Sequence, residues 1–314
     1  MSTSAVTTSP AAVEPIFNTK PRGLWATALH RLFRRRSAII GMIILGSLLF
    51  IAISAPFLST HDPIQSQIGL ADVEKRSAPC IHLLGCTAEQ PEYLFGTDGN
   101  VRDLYSRVLY GARLSLMVGI LSVGFAIAIG AFIGAVSAYV GGYTDNLLMG
   151  LMDILLAFPS LILAIAIVTV LGPGLLNTLL AIGIVSIPVY ARIMRSSVLS
   201  IKQQDYVLAG QSIGSSSSRI LMQNILPNAL TPLVVQGTLG IAVAILDAAA
   251  LSFLGLGAQP PTPEWGSMIG QERNQVFTAP HLIVFPGIAL ILTVLGFNLL
   301  GDGLRDALDV RQRA

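Results

Sequence analysis

Charge is what this chain has least of. Asp, Glu, Lys and Arg make up 11% of the residues, against 53% that are apolar. Soluble domains carry about 25% charged residues, so too few polar groups are present to cover a surface in water. The composition excludes an ordinary soluble domain and places the chain in a membrane. A net charge of +2 gives no case for nucleic-acid binding. Cysteine is nearly absent, with only Cys80 and Cys86, and the four histidines (His30, His61, His82, His281) are scattered. No Cys/His set therefore has the spacing of a zinc site, and no metal is expected. A Gly-x-x-x-x-Gly-Lys-Ser/Thr phosphate loop is missing as well, so any use of ATP belongs to another chain. No nucleophile, base or metal constellation points to an enzyme.

What is present is a series of long apolar runs. Residues 1–22 are rich in Ser, Thr, Ala and Pro and read as a disordered tail. Leu24, Trp25, Ala28, Leu29 and Leu32 then fall at helical spacing before the basic run Arg34-Arg35-Arg36, which predicts an amphipathic helix lying in the membrane interface. Six apolar stretches follow, at about 38–58, 114–139, 147–171, 175–191, 229–254 and 281–300. A bilayer core about 30 Å thick needs roughly 20 helical residues, and all but the fourth stretch reach that length. The fourth is shorter and contains Pro188. The first is too long for the core of a cleaved signal peptide and reads as an uncleaved helix. Glycines inside the runs, such as Gly119, Gly130 and Gly134, suit close helix packing in lipid.

Basic residues set the expected orientation. With the N-terminus inside, thirteen of the 19 Lys and Arg fall on the inner side, and five of the six others share one long loop. Both termini are then cytoplasmic, as an even number of spans requires. This divides the chain into a cytoplasmic tail (1–37), a first span (38–58), an extracytoplasmic loop (59–113), a membrane core (114–303) with a cytoplasmic loop at 192–227, and a C-terminal tail (304–314). Asp302, Arg305, Asp306 and Asp309 in and beside that tail read as a solvated, self-paired face. Cys80 and Cys86 lie outside, where they are either a local disulfide or two free thiols.

The loop at 192–227 is too long for a simple connector. After Asp205, the residues Tyr206, Ala209, Gly210 and Ile213 fall at helical spacing and form one small apolar face. Gly214 is placed to end that helix in a left-handed turn. Ser215 to Ser218 offer caps for a second helix from Arg219 to Leu226, and Pro227 sets the entry to the fifth span. The predicted shape is a helix–turn–helix projecting from the membrane, either a plug for a partner's groove or an interfacial connector.

Here the sequence resembles a known family. Leu208-Ala209-Gly210-x-x-x-Gly214, followed by Leu226-Pro227, is similar to the "EAA" loop of bacterial ABC importer permeases, with Leu208 in place of the family's Glu. Phe95-Gly96-Thr97-Asp98 through Arg102-Asp103, Ser106-Arg107 and Gly111 to Leu116 resemble the segment before the second span of dipeptide/oligopeptide permease C subunits. Val101 stands where that family usually has Gly. The run Leu254 to Gly266 and the tail Gly301 to Asp309 are similar to the same subunits. The resemblance implies an all-α transmembrane fold, the six-helix type I importer permease with a cytoplasmic coupling helix, in the bacterial inner membrane. It implies a homologous permease subunit as heterodimer partner, two ATPases that hold the ATP and Mg, and an extracytoplasmic substrate-binding protein. Dipeptides or short oligopeptides are the implied cargo, and the chain itself holds no cofactor. Asp205, Tyr206, Ala209, Gly210, Ile213, Gly214, Leu226 and Pro227 are the implied coupling residues.

Three polar residues within the spans are candidates for the substrate path. Asp247 reads as cavity-lining, meeting a peptide's amino end, or as a contact between helices. Asp153 reads as functional or structural, and Asn298 as a helix–helix hydrogen bond. A competing class is a proton- or sodium-coupled secondary transporter using Asp153 and Asp247, although no internal repeat of the kind such carriers show is visible.

Overall fold

Without water to bond to, a backbone crossing a bilayer must satisfy its polar groups internally, which makes long helices the dominant element. The computed structural model describes residues 29–69, 73–86 and 91–308. Helices α1 (Arg36–Leu58), α2 (Leu104–Val140), α3 (Gly142–Leu156), α4 (Ser160–Leu171) and α5 (Leu175–Lys202) come first. The short α6 (Asp205–Ser212) leads into α7, which runs Ser217–Phe253 with a π-helical stretch at Ile220–Ile225. A second short helix, α8 (Trp265–Glu272), precedes α9 (His281–Leu308). Five helices are long and apolar enough to cross a membrane, and α3 with α4 makes a sixth if the pair is one span.

Several elements differ from the expected ones. The third span is broken: α3 and α4 meet at 91° around Pro159. Proline has no N–H to continue the ladder and pushes the residue before it out of helical geometry. α5 continues well past its predicted end at Ala191, because Arg192 and Arg195 in the extension are paired with acids on α3. α2 starts well before its apolar run, where the Asp103 side chain accepts from the amides of Tyr105 and Ser106. α8 was not expected at all. The interfacial helix falls partly outside the described residues, which begin at Leu29; Leu29 to Leu32 are helical, with Leu32 buried. Asp306 reaches back to Arg35, 3.8 Å away, rather than pairing within its own tail.

The spans alternate in direction, so the connecting segments sort onto two faces. One carries a polar cap. Arg107, 1% exposed, donates to the carbonyls of Pro63 at 2.7 Å and Pro261 at 3.0 Å, while its Nε lies 3.5 Å from Asp98. Asp98 also accepts from Arg102 Nε at 2.8 Å. Arg76 joins Glu272 of α8 at 2.8 Å, and Thr60 donates to Asp103 at 2.7 Å. These bonds knit the α1–α2 connection to the α7–α9 connection, and Cys80 and Cys86 form a disulfide within the former. Glu264 caps α8 through the amides of Gly266 and Ser267; burial pushes its carboxyl up while those two bonds pull it down. Val101 lies in this cap with φ +54° and 2% exposure. A β-branched residue there is strained where glycine would be at ease, which accounts for the family's usual choice. The opposite face holds both ends of the described chain, the α2–α3 turn and α6.

The bundle is held by close backbone approach. A Cβ on Gly130 of α2 would lie 2.8 Å from the Ile187 carbonyl oxygen of α5, and Ser122 donates to the Leu179 carbonyl at 3.1 Å. A Cβ on Gly41 of α1 would lie 2.7 Å from the Leu300 amide of α9. Small residues let spans meet at this distance, where dispersion and polar contacts replace the absent hydrophobic drive. Gly130→Val is therefore expected to destabilise the detergent-purified protein by about 1–3 kcal/mol. Gly124→Val, on the same helix with nothing within 4 Å, should leave its thermal unfolding nearly unchanged.

Candidate functional site

The segment after α5 is built as a rigid projection. Gln204 precedes the first turn of α6, and Val207, 1% exposed, is driven into a base formed by Met194, Val198 and Ile201 of α5, Ile220, Ile225, Ala229 and Leu233 of α7, and Ala135 and Ala138 of α2. The helix ends as the glycine predicts. Gly214 has φ +79°, its amide bonds the Gln211 carbonyl, and the Ser215 amide bonds the Gly210 carbonyl. This double closure is a Schellman turn, and only glycine takes that φ without strain. Polar struts complete the base. Tyr139 donates to the Ser217 carbonyl at 2.9 Å, and Lys202 donates to the Tyr139 carbonyl at 3.3 Å and stands over the ring. Tyr206 lies 3.4 Å from the Asn224 carbonyl and 3.3 Å from Asn228 Nδ2.

The second arm differs from the predicted one. Arg219 to Leu226 is no separate helix but the first part of α7, joined to it through the π-helical stretch, with Pro227 in the first turn of the following α-helix. Proline fits there because a first-turn amide needs no partner. The hairpin is thus a short helix folded back on the root of a spanning helix. Asp205, Ala209 and Pro227 are exposed, Gly210 and Leu226 half-buried. Ile213 is 83% exposed and Met222 62%, with Leu208 and Tyr206 beside them also open. These apolar side chains form an exposed patch on the hairpin. Sequence reading named Tyr206, Ala209, Gly210 and Ile213 but missed Val207, the anchor on the opposite side. The buried Ile220 and Ile225 that meet it were the available signal.

The three intramembrane candidates are not brought together by any hydrogen bond or ion pair among the described residues. Asp153 accepts from Arg192 of α5 at 2.5 Å, and both side chains are more than half exposed. It belongs to a pair of clamps with a residue that sequence reading passed over: Asp145, which takes Arg195 through two bonds of 2.6 Å and also accepts from Ser137. The two acids lie on α3 and the two arginines on α5, so both pairs tie the same two helices together. Asn298 is exposed and makes no helix–helix hydrogen bond among the described residues, contrary to expectation. Asp247 is half-buried on α7 and has no such partner either; it shares a face with the exposed Val243 and Leu246.

Comparison with known proteins agrees with this architecture. The family described as binding-protein-dependent transport system inner membrane component matches residues 107–314, and the N-terminal TM domain of oligopeptide transport permease C matches residues 23–79. The dipeptide transport system permease protein DppC of Alkalihalophilus pseudofirmus is 44% identical over 92% of this chain and 91% of its own length. The di/tripeptide transport system permease protein DppC of Pseudomonas aeruginosa is 41% identical over 98% of this chain and 97% of its own. In fold, the chain is similar to a crystal form of the MetNI methionine ABC transporter, with TM-score 0.54 at 20% identity, over 66% of this chain and 98% of that one. With a family match across most of the chain and relatives above 40% identity along nearly its full length, this protein belongs to the ABC-transporter inner-membrane permeases, in the dipeptide/oligopeptide permease C group.

Proposed function

We propose that this chain is half of the translocation pore of an ATP-driven importer that brings dipeptides or short oligopeptides into the cytoplasm. The observation that carries it is the hairpin of α6 and the root of α7, which holds Leu208 and Ile213 at α6 and Met222 on α7 in the open outside the spans. In this reading α6 is the coupling helix, Asp205 to Gly214 with Leu226 and Pro227 at its root, and it seats in a groove of one of two ATPases. The ATP and Mg reside there, and this chain makes and breaks no bonds. Closure of the ATPases pulls α6 inward; the shared core under Val207 passes that movement to α2, α5 and α7, and the spans tilt. Leu208 stands where the family has Glu, so the seat relies on shape and apolar burial rather than on an ion pair. Both termini and α6 then face the cytoplasm, and the polar cap with the Cys80–Cys86 disulfide faces outward, toward a substrate-binding protein.

A homologous permease subunit completes the pore. An unpaired carboxylate facing lipid is costly, so the α7 face with Asp247 turns toward a water-filled cavity between the two subunits. A peptide's ammonium group is the natural counterion there. The peptide class follows from the relatives, whose names give dipeptides, di/tripeptides and glutathione as cargo. The secondary-transporter reading asks Asp153 and Asp247 to carry a proton or sodium ion; Asp153 is engaged by Arg192 near the end of α3, and Asp247 is common to both readings.

Three outcomes follow. Ile213→Arg or Gly214→Arg should lower co-purification of the ATPases at least tenfold, since a charge buried against them costs about 2 kcal/mol or more. The variants should still insert in the membrane. Peptide uptake into energised vesicles should stop on ATP depletion and persist with an uncoupler, and the reverse result would select the ion-coupled mechanism. Asp247→Asn should raise the half-saturating peptide concentration about tenfold through loss of a charged contact, leaving assembly intact.

A further inference from the structure

On the face that carries both ends of the described chain lies a cavity of about 240 Å³ lined by Arg31, Arg34, Arg35 and Asp306. It sits where the segment before α1 meets the last turns of α9, around the small core of Leu32, Ala38 and Ala307. Three guanidinium groups surround it with one carboxylate, and Asp306 is engaged by Arg35 at 3.8 Å. Arg31 and Arg34 have no side-chain partner among the described residues. The pocket is therefore cationic after its internal pair is counted. On the other side of the same segment, Leu29 and Phe33 are 56% and 58% exposed, as suits a segment lying in a membrane interface.

We propose that this pocket holds the phosphodiester headgroup of an anionic membrane lipid. Arginine matches a phosphate with paired N–H donors, and basic pockets at span ends take anionic headgroups. The pocket lies between the ends of two candidate spans, α1 and α9, at the depth where lipid headgroups stand, which favours a headgroup over a free anion. The site joins the segment before α1 to the end of α9, so the bound lipid braces the two ends of the chain against each other. The proposal does not depend on which face is cytoplasmic, nor on the transported substrate.

The test uses the full-length protein purified in detergent, titrated with dioleoylphosphatidylglycerol, dioleoylphosphatidylcholine or inorganic phosphate. Thermal unfolding and lipid adducts in native mass spectrometry are the readouts. Phosphatidylglycerol should raise the unfolding temperature and remain bound, and the other two should do neither. Arg31→Gln combined with Arg34→Gln should weaken phosphatidylglycerol binding about 20-fold. Asp306→Asn, which removes the competing carboxylate from a half-exposed pair, should strengthen it, and this variant decides the matter if the double variant does not accumulate. Equal stabilisation by phosphatidylcholine, undiminished binding in the double variant or weakened binding in Asp306→Asn would overturn the proposal. Stabilisation by inorganic phosphate equal to that by the lipid would overturn the lipid as occupant.

Discussion

The contact between α2 and α5 is the constraint on which the rest of the structure depends. In lipid, an apolar side chain gains little by leaving one hydrocarbon surface for another, so helices must be joined by backbone approach and polar contacts. Gly130 and Gly134 bring α2 against the α5 backbone at Ile187 and Ala191. Ser122 adds a hydrogen bond toward the other end of the same seam. The post made by these two helices carries α6 directly: α5 ends at Lys202, and α6 starts at Asp205. Because Ala135 and Ala138 of α2 line the core beneath Val207, the hairpin is fixed to both members of the post and to the root of α7. In the proposed mechanism, this shared packing passes a push on α6 to the helices.

Charge is sparse in this chain, and its distribution separates structure from function. The polar cap consumes Asp98, Arg102, Asp103, Arg107 and Glu272 in bonds that close the α1–α2 connection over α8. The clamps Asp145–Arg195 and Asp153–Arg192 tie α3 to α5 just before the break at Pro159. Among the described residues Asp247, within α7, has no such partner, and neither does the exposed Asp302 near the end of α9. In the proposed importer the Asp247 face is finished by another subunit and by solvent.

Much of this was legible in the sequence because lipid imposes simple rules. Length and hydropathy located the five long apolar helices and the region of the bent α3–α4 pair, and Gly214 was identified as a helix terminator because its left-handed turn is a local property. The break in the third span was missed because the largely apolar run continues on both sides of Pro159 and so reads as one stretch. The extension of α5 past Ala191 was missed because Arg192 and Arg195 end the apolar run, and only their partners on α3 make the helix worth continuing. The helix α8 was hidden because its face is set by burial against α7, where Gly266 meets Ala249, and not by a periodicity of its own. Asp145 and Val207 matter through what they touch, which spacing alone does not reveal.

The direct test of the account is the side of the membrane on which α6 stands. Both native cysteines are joined in the disulfide, so a single introduced cysteine is the one reactive thiol. Ile213→Cys and Phe277→Cys place it on opposite faces, at positions 83% and 97% exposed. In intact cells made permeable only at the outer membrane, a membrane-impermeant maleimide should label the Phe277 variant. It should reach the Ile213 variant only after the inner membrane is opened, and less so with the ATPases bound. Labelling of Ile213→Cys from outside would contradict the coupling role of α6 and the importer mechanism built on it.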